Sequence, residues 1–161
     1  MVMFPELRLG IRPMKATIRK IKPADRRRWR ELWDGYCRFY ERPISARVTG
    51  YTWQRIMDPA SPVHAIVAET KSEGVIGMAN YVIHENTWTL TPVCYLEDLF
   101  VDPQVRAGGV GKQLIDWLVA ECKARKWSRL YWNTRETNYR ARGLYDKYTP
   151  HSGFLRYVIN L

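Results

Sequence analysis

Cysteine is scarce in this sequence: three in 161 residues, at positions 37, 94 and 122, with no CxxC pair. That spacing excludes a disulfide framework and a cysteine-based zinc site, and leaves buried neutral thiols as the reading. Histidine is as rare. His64, His84 and His151 match no metal-ligand spacing, and His84-Glu85 does not continue to a second His. No metal is expected. No run approaches the ~20 apolar residues of a membrane span, so no membrane partner is expected either. The opening stretch MVMFPELRLGIRPMK lacks the apolar core and small-residue cleavage site of a secretory signal. The expected location is cytoplasmic. Acidic residues are short as well: 16 against 26 Lys and Arg, for a net charge of +10.

That charge is uneven. Residues 1–30 hold ten basic residues and two acids, 31–120 hold seven and eleven, and 121–161 hold nine and three. Basic ends suggest an anionic partner, either nucleic acid or a phosphate-rich cofactor. Solubility alone explains the Arg26-Arg27-Arg28 run equally well. No helix-turn-helix, zinc-finger or RNP pattern accompanies it, so a nucleic-acid-binding module is the weaker alternative.

What the chain has in quantity is aromatic: seven Trp and ten Tyr, enough for large buried areas or a lined cleft. Its length suits one domain over 15–161 behind a tail at 1–14 that contains Pro5, Gly10 and Pro13. Ala16–Ile21 alternates as a strand. Pro23 and Asp25 open a helix to about Glu41, with Trp29, Leu32, Trp33, Tyr36, Phe39 and Tyr40 in a helical stripe. Residues 44–62 read as a mobile connection with one short helix at Thr52–Met57. Strands at His64–Thr70 and Gly74–His84 form a hairpin, and a third runs from Thr87 to Asp102 with a bend at Pro92. A helix to about Lys126, a strand at Ser128–Thr134, a helix at Asn138–Tyr148 and a last strand at Phe154–Leu161 complete the order. This is a mixed α/β sheet with a crossover helix.

The segment with chemistry is the strand–turn–helix at 95–126. Arg106-Ala107-Gly108-Gly109-Val110-Gly111-Lys112 lies where strand gives way to helix. Glycines allow a sharp turn, and the first backbone N–H groups of the helix add unpaired donors with partial positive charge. Such a turn binds phosphate, with Arg106 and Lys112 adding charge. It is neither a Walker A loop, because Gln113 follows Lys112 and Arg106 stands at the leading Gly, nor a Rossmann fingerprint, because Leu114 replaces the third Gly.

Arg-x-x-Gly-x-Gly following YLEDLFVDP resembles the acetyl-CoA signature of the GNAT N-acetyltransferase superfamily. Tyr131-Trp132-Asn133-Thr134, with the later Asn138-Tyr139-Arg140-Ala141-Arg142-Gly143-Leu144-Tyr145, resembles that superfamily's second half-site. The match is specific over about 94–148. The small histone/polyamine acetyltransferases are the most similar group. The chain departs from it by an extra Gly at 108 and by the residues Thr149–Ser152 before Gly153-Phe154.

The resemblance implies a mostly antiparallel central sheet flanked by helices, with a β-α crossover that binds acetyl-CoA. It implies transfer of acetyl to a primary amine, most simply a small polyamine-like or amino-acid-like one. The lysines of a basic protein are the alternative, and a homodimer is expected. Tyr145 takes the position of the family's catalytic tyrosine. Asn138, seven residues before it on the same helix face, would bind the cofactor arm, with Asn133 and Arg140 in the same half-site. The backbone of Leu99, Phe100 and Val101 would hold the acetyl carbonyl and pantetheine.

Glu97 and Asp98 should point to opposite faces of their strand, at least one of them toward the cleft as base or ammonium anchor, with Glu97 the preferred residue and Asp98 the other candidate. Trp33, Tyr36 and Tyr40, and also Trp53, are candidates to line an amine pocket through cation–π contact, although such a stripe packs a core equally well.

Overall fold

Five strands make one sheet in the order β1 (Thr17–Lys20), β2 (Val63–Thr70), β3 (Gly74–His84), β4 (Val93–Val101) and β5 (Leu130–Trp132). Neighbours are antiparallel except β4 and β5, whose parallel pairing joins Cys94–Leu96 to Leu130–Trp132. A parallel pair needs a crossover, and α3 (Val110–Arg125) supplies it. This computed structural model describes residues 15–105 and 108–161. The expected tail at 1–14, and the phosphate-contact positions Arg106 and Ala107, lie outside the described residues.

Both faces of the sheet are covered, so β2 is buried almost throughout rather than on alternate residues. Ile66 and Ala68 face one apolar cluster with Leu114, Ile115 and Leu118 of α3. Ala65 and Val67 face the other, with Trp29, Leu32 and Trp33 of α1 (Arg26–Phe39) and Trp53 and Ile56 of α2 (Ala46–Met57). A 3-10 turn at Pro23–Asp25 leads into α1. The buried Asp25 carboxylate accepts the Lys22 N–H at 2.9 Å and the Arg19 guanidinium at 2.7 and 3.0 Å. That tethers the start of α1 to β1. Glu41, at φ +53, takes the left-handed conformation just beyond α1, and Pro43 keeps the helix from resuming.

Five expectations need correction. The region 44–62 is mostly helix: α2 starts at Ala46, where the Ser45 side chain accepts the Val48 N–H at 3.2 Å, not at Thr52. Val48, Thr49 and Gly50 weaken its helical signal, but burial of Thr49, Trp53 and Ile56 outweighs propensity. β4 begins at Val93 rather than Thr87. The Asn86 side chain accepts the N–H groups of Trp88 and Thr89 at 2.9 and 3.0 Å and curls that stretch into a turn. α4 spans only Tyr139–Tyr145, and β5 only three residues. Residues 154–161 form no strand; their side chains are exposed. A strand needs a ladder, and β5, the edge strand on that side, offers only a short one.

Candidate active site

The site begins at an irregularity in β4. Asn80 of β3 pairs with Asp98 and Tyr81 pairs with Leu96, so Glu97 is an extra residue in the ladder. Such a bulge shifts the alternation by one. Leu96 therefore packs toward α3, while both Glu97 and Asp98 line a cleft beside α1. The expectation that these two carboxylates point to opposite faces assumed an unbroken strand, and the bulge overturns it.

The two acids differ in environment. Glu97 is exposed, and its carbonyl accepts the Tyr36 hydroxyl at 3.4 Å. Asp98 is only 8% exposed. Its Oδ2 accepts from the Asn80 amide at 3.0 Å, and the Tyr36 phenol stands beside it. Burial raises the Asp98 carboxyl to about 6 and the negative charge of Glu97 adds to this, while the hydrogen bond from Asn80 and the adjacent Tyr36 phenol oppose it. Burial, and then the neighbouring Asp98, hold the Tyr36 phenol well above its ordinary range. Asp98 is thus a carboxylate able to exchange a proton near neutrality.

The cleft holds about 800 Å³. Trp33, Tyr36 and Tyr40, three of the four expected pocket aromatics, line it together with Glu97 and Asp98. Trp53 does not; its ring packs against Trp29 at 5.2 Å inside the core. Arginines share the cleft with the carboxylates. Arg42, Arg135, Arg142 and Arg156 all line the cleft. Arg135 donates to the Tyr40 carbonyl at 2.9 Å and lies over the Tyr40 ring at 5.2 Å, and Arg142 donates to the Glu136 carbonyl at 2.7 Å. One cleft therefore offers anionic and cationic groups together.

Past Leu96 and Trp132 the parallel strands part. β4 runs on through Glu97 to Val101, while the chain beyond β5 turns toward α4. This fork leaves the β4 edge at Leu99, Phe100 and Val101 without a β5 neighbour. Trp132, the last paired residue of β5, meets the Tyr145 ring at 5.3 Å. The Tyr145 hydroxyl has no protein hydrogen-bond partner among the described residues. Burial, helped by nearby Tyr40, pushes its phenol up to about 12. Asn138 caps α4 and donates to Thr134 at 3.0 Å, Asn133 lines the cleft and donates to Tyr95 at 3.2 Å, and Arg140 is exposed on α4.

The turn before α3 fits an anionic phosphate group. Gly109 caps the helix at φ +83, a conformation glycine adopts without strain, and the first turn of α3 contains no acid. Val110, Gly111 and Lys112 open the helix beyond the half-buried Gly108. Gly111 lies against Leu99 of β4 and Leu144 of α4, which sets that helix terminus next to the fork. The Lys112 ammonium is engaged by Asp116 at 2.7 Å and lies over the Tyr148 ring. Its side chain is thus turned to its own helix rather than held free for a ligand.

Sequence reasoning missed the cleft residues Tyr95, Cys37, the four arginines and the segment around His151–Arg156. Three of these had a signal: Tyr95 precedes Glu97 by two on an alternating strand, Cys37 stands on the α1 stripe between Trp33 and Tyr40, and Arg142 stands on α4. The others come from separate segments whose approach no local pattern records. The Arg26-Arg27-Arg28 run is partly committed to the protein itself: Arg27 and Arg28 pair with Glu31, and Arg28 also reaches Asp102.

Comparison with known proteins bears on this arrangement. The family model described as acetyltransferase (GNAT) family matches residues 26–149. A D-amino-acid N-acetyltransferase of Saccharomyces cerevisiae is 31% identical over 134 residues, covering 83% of each chain. The solved ribosomal-protein-alanine N-acetyltransferase of Brucella melitensis biovar Abortus superposes with a TM-score of 0.76 at 21% identity, over 91% of this chain and all of the other. AAC(6')-Iy, solved with the bisubstrate analog CoA-S-monomethyl-acetylneamine, superposes with a TM-score of 0.77 at 19% identity, over 92% of this chain and 99% of its own. The five-stranded sheet flanked by helices matches the fold of these two structures.

Proposed function

The chain belongs to the acetyltransferase (GNAT) family and is an N-acetyltransferase, and on that premise we propose that it moves acetyl from acetyl-CoA to the α-amine of a small, amino-acid-like acceptor. The observation behind this choice is the cleft itself, in which Glu97 and Asp98 share one space with Arg42, Arg135, Arg142 and Arg156. A polyamine presents only positive charge and meets repulsion from those arginines. An amino acid presents an ammonium for the carboxylates and a carboxylate for the arginines. The yeast relative that acetylates D-amino acids supports the same class.

The α-ammonium of a free amino acid, like an alkyl ammonium at ~10.4, carries its proton at neutral pH, so the transfer needs a base. Asp98, buried beside Asn80 and raised to about 6, is the base, and Glu97, exposed in the cleft, anchors the ammonium. Trp33, Tyr36 and Tyr40 pack around the acceptor's apolar part.

Acetyl-CoA supplies the acetyl group as an activated thioester. The N–H groups of Val110, Gly111 and Lys112 at the start of α3, with Gly108 and Gly109 in the turn, receive its phosphates. The unpaired edge at Leu99, Phe100 and Val101 receives the amide-rich arm and directs an N–H toward the oxyanion. Asn133, Asn138 and Arg140 face the same ligand from the other branch of the fork. Tyr145 presents its phenol where charge develops on the departing sulfur. A phenol near 12 lies about three units above a thiol near ~8.5, so its main contribution is a hydrogen bond to that charge rather than outright proton release. A second copy of the chain is the proposed partner, supported by the exposed Phe154, Leu155, Tyr157, Ile159 and Leu161 of the C-terminal segment.

The test is CoA release from acetyl-CoA with D- and L-amino acids, polyamines and a histone-tail peptide. Amino acids should turn over best, with kcat/KM falling below about pH 6, and Tyr145→Phe should lower kcat about a hundredfold. Turnover confined to polyamines would overturn the acceptor class.

A further inference from the structure

The cluster around Asp98 extends one layer deeper than the cleft. Asn80 is a buried amide, 3% exposed, in a strand whose neighbours Met78, Ala79 and Tyr81 are core residues. A polar side chain there is unfavourable unless all of its groups are paired. They are paired in a directed way. The Trp29 indole, 1% exposed, donates from Nε1 to Asn80 Oδ1 at 3.1 Å. The Asn80 Nδ2 donates to Asp98 Oδ2 at 3.0 Å. An indole N–H can only donate, so it must face the amide oxygen. That fixes the amide flip and turns the NH2 toward Asp98. The chain of bonds therefore has a direction: Trp29 to Asn80 to Asp98.

We propose that Asn80, oriented by Trp29, is a positioning residue for acetyl transfer: it holds Asp98 by Oδ2 and leaves Oδ1 to receive the proton of the acceptor amine. This rests on the reading of Asp98 as the base. An N–H donor on Oδ2 favours the ionised carboxylate and keeps the incoming proton off that oxygen, so protonation occurs at Oδ1. The groups facing Asp98 are Tyr36 and Cys37 from α1, Asn80 from β3 and Glu97 from β4. Of these, Asn80 and Tyr36 favour the charged form, and Glu97 and burial oppose it. Removing Asn80 leaves Asp98 harder to ionise. Replacing Trp29 by Phe keeps a large ring but releases the amide to rotate, which produces a smaller change in the same direction.

The experiment measures the pH profile of kcat/KM with an amino-acid acceptor, together with a carbon-13 NMR titration of the Asp98 carboxyl, in the full chain and in Asn80→Ala, Trp29→Phe and Asp98→Asn. The acidic limb should lie near pH 6 in the native protein. It should move up by about one unit in Asn80→Ala, since a hydrogen bond to a charged group is worth on the order of tenfold or more in such an equilibrium. It should move up by less in Trp29→Phe and vanish in Asp98→Asn. KM for acetyl-CoA should stay within about twofold throughout. If the limb survives in Asp98→Asn, Asp98 is not the base and the underlying reading fails. If the limb belongs to Asp98 yet keeps its position in Asn80→Ala, the inference about Asn80 is overturned while the reading of Asp98 stands. Should Asn80→Ala not fold, Trp29→Phe decides: an unmoved carboxyl titration there refutes the directed relay.

Discussion

Asp98 joins function and stability in one side chain. An ordinary aspartate titrates near ~3.9, and burial raises this one to about 6. The native state therefore binds a proton more tightly than the unfolded chain does between those values. Stability is highest below about pH 4, falls as pH rises to about 6 and is level above that. Two units correspond to about 2–3 kcal/mol lost by the folded state at neutral pH. An asparagine avoids this loss, and its carbonyl can still accept from Asn80. Asp98→Asn should melt several degrees above the native protein at pH 8, and the difference should close by about pH 4, as thermal denaturation at both pH values will show. A variant less stable than the native protein at pH 8 contradicts this assignment.

At the scale of elements, α1 passes closely over β4 at Gly35. A Cβ added at Gly35 would lie 2.7 Å from the Phe100 ring, so Gly35→Ala must displace that ring or the helix. The expected outcome is about 1–3 kcal/mol of destabilisation in chemical denaturation, with a raised KM for the acceptor because Tyr36 is the adjacent residue. Unchanged KM and stability would mean that the ring turns away freely. The same pairs of elements explain what the sequence discloses. The α1 stripe, the 63–84 hairpin and the Gly109–Gly111 turn are local patterns, and each stands close to where its periodicity predicts it. The bulge at Glu97 is not local, because it exists only in the register between β3 and β4. The length of α2 and the failure of Phe154–Leu161 to become a strand are likewise decided by partners, burial in one case and a missing ladder in the other. The cleft was half legible for this reason: Tyr36, Tyr40, Glu97, Asp98 and Arg142 stand on or beside patterned elements, whereas Arg42, Arg135 and Arg156 come from segments without a period.

In the whole molecule the sheet separates two apolar clusters, and the reacting groups come from both sides of that division: Asp98 beside α1, Tyr145 against the cluster under α3. The C-terminal segment borders the cleft with Phe154, Leu155 and Arg156, and its apolar side chains, Phe154 and Leu155 included, are exposed. Deleting 154–161 should therefore have two effects. KM for the acceptor should rise, and a dimer seen by sedimentation velocity should become a monomer. An unchanged mass on deletion would remove the second copy from the proposal. The parting of β4 from β5 has its own signature in solvent exchange. Along residues 98–101, past the bulge, alternate amides are tied to β3 and the others open toward the fork. In heavy water this stretch becomes a comb, slow and fast deuterium uptake in turn along a single strand, and an acyl donor lying in the fork would fill its gaps.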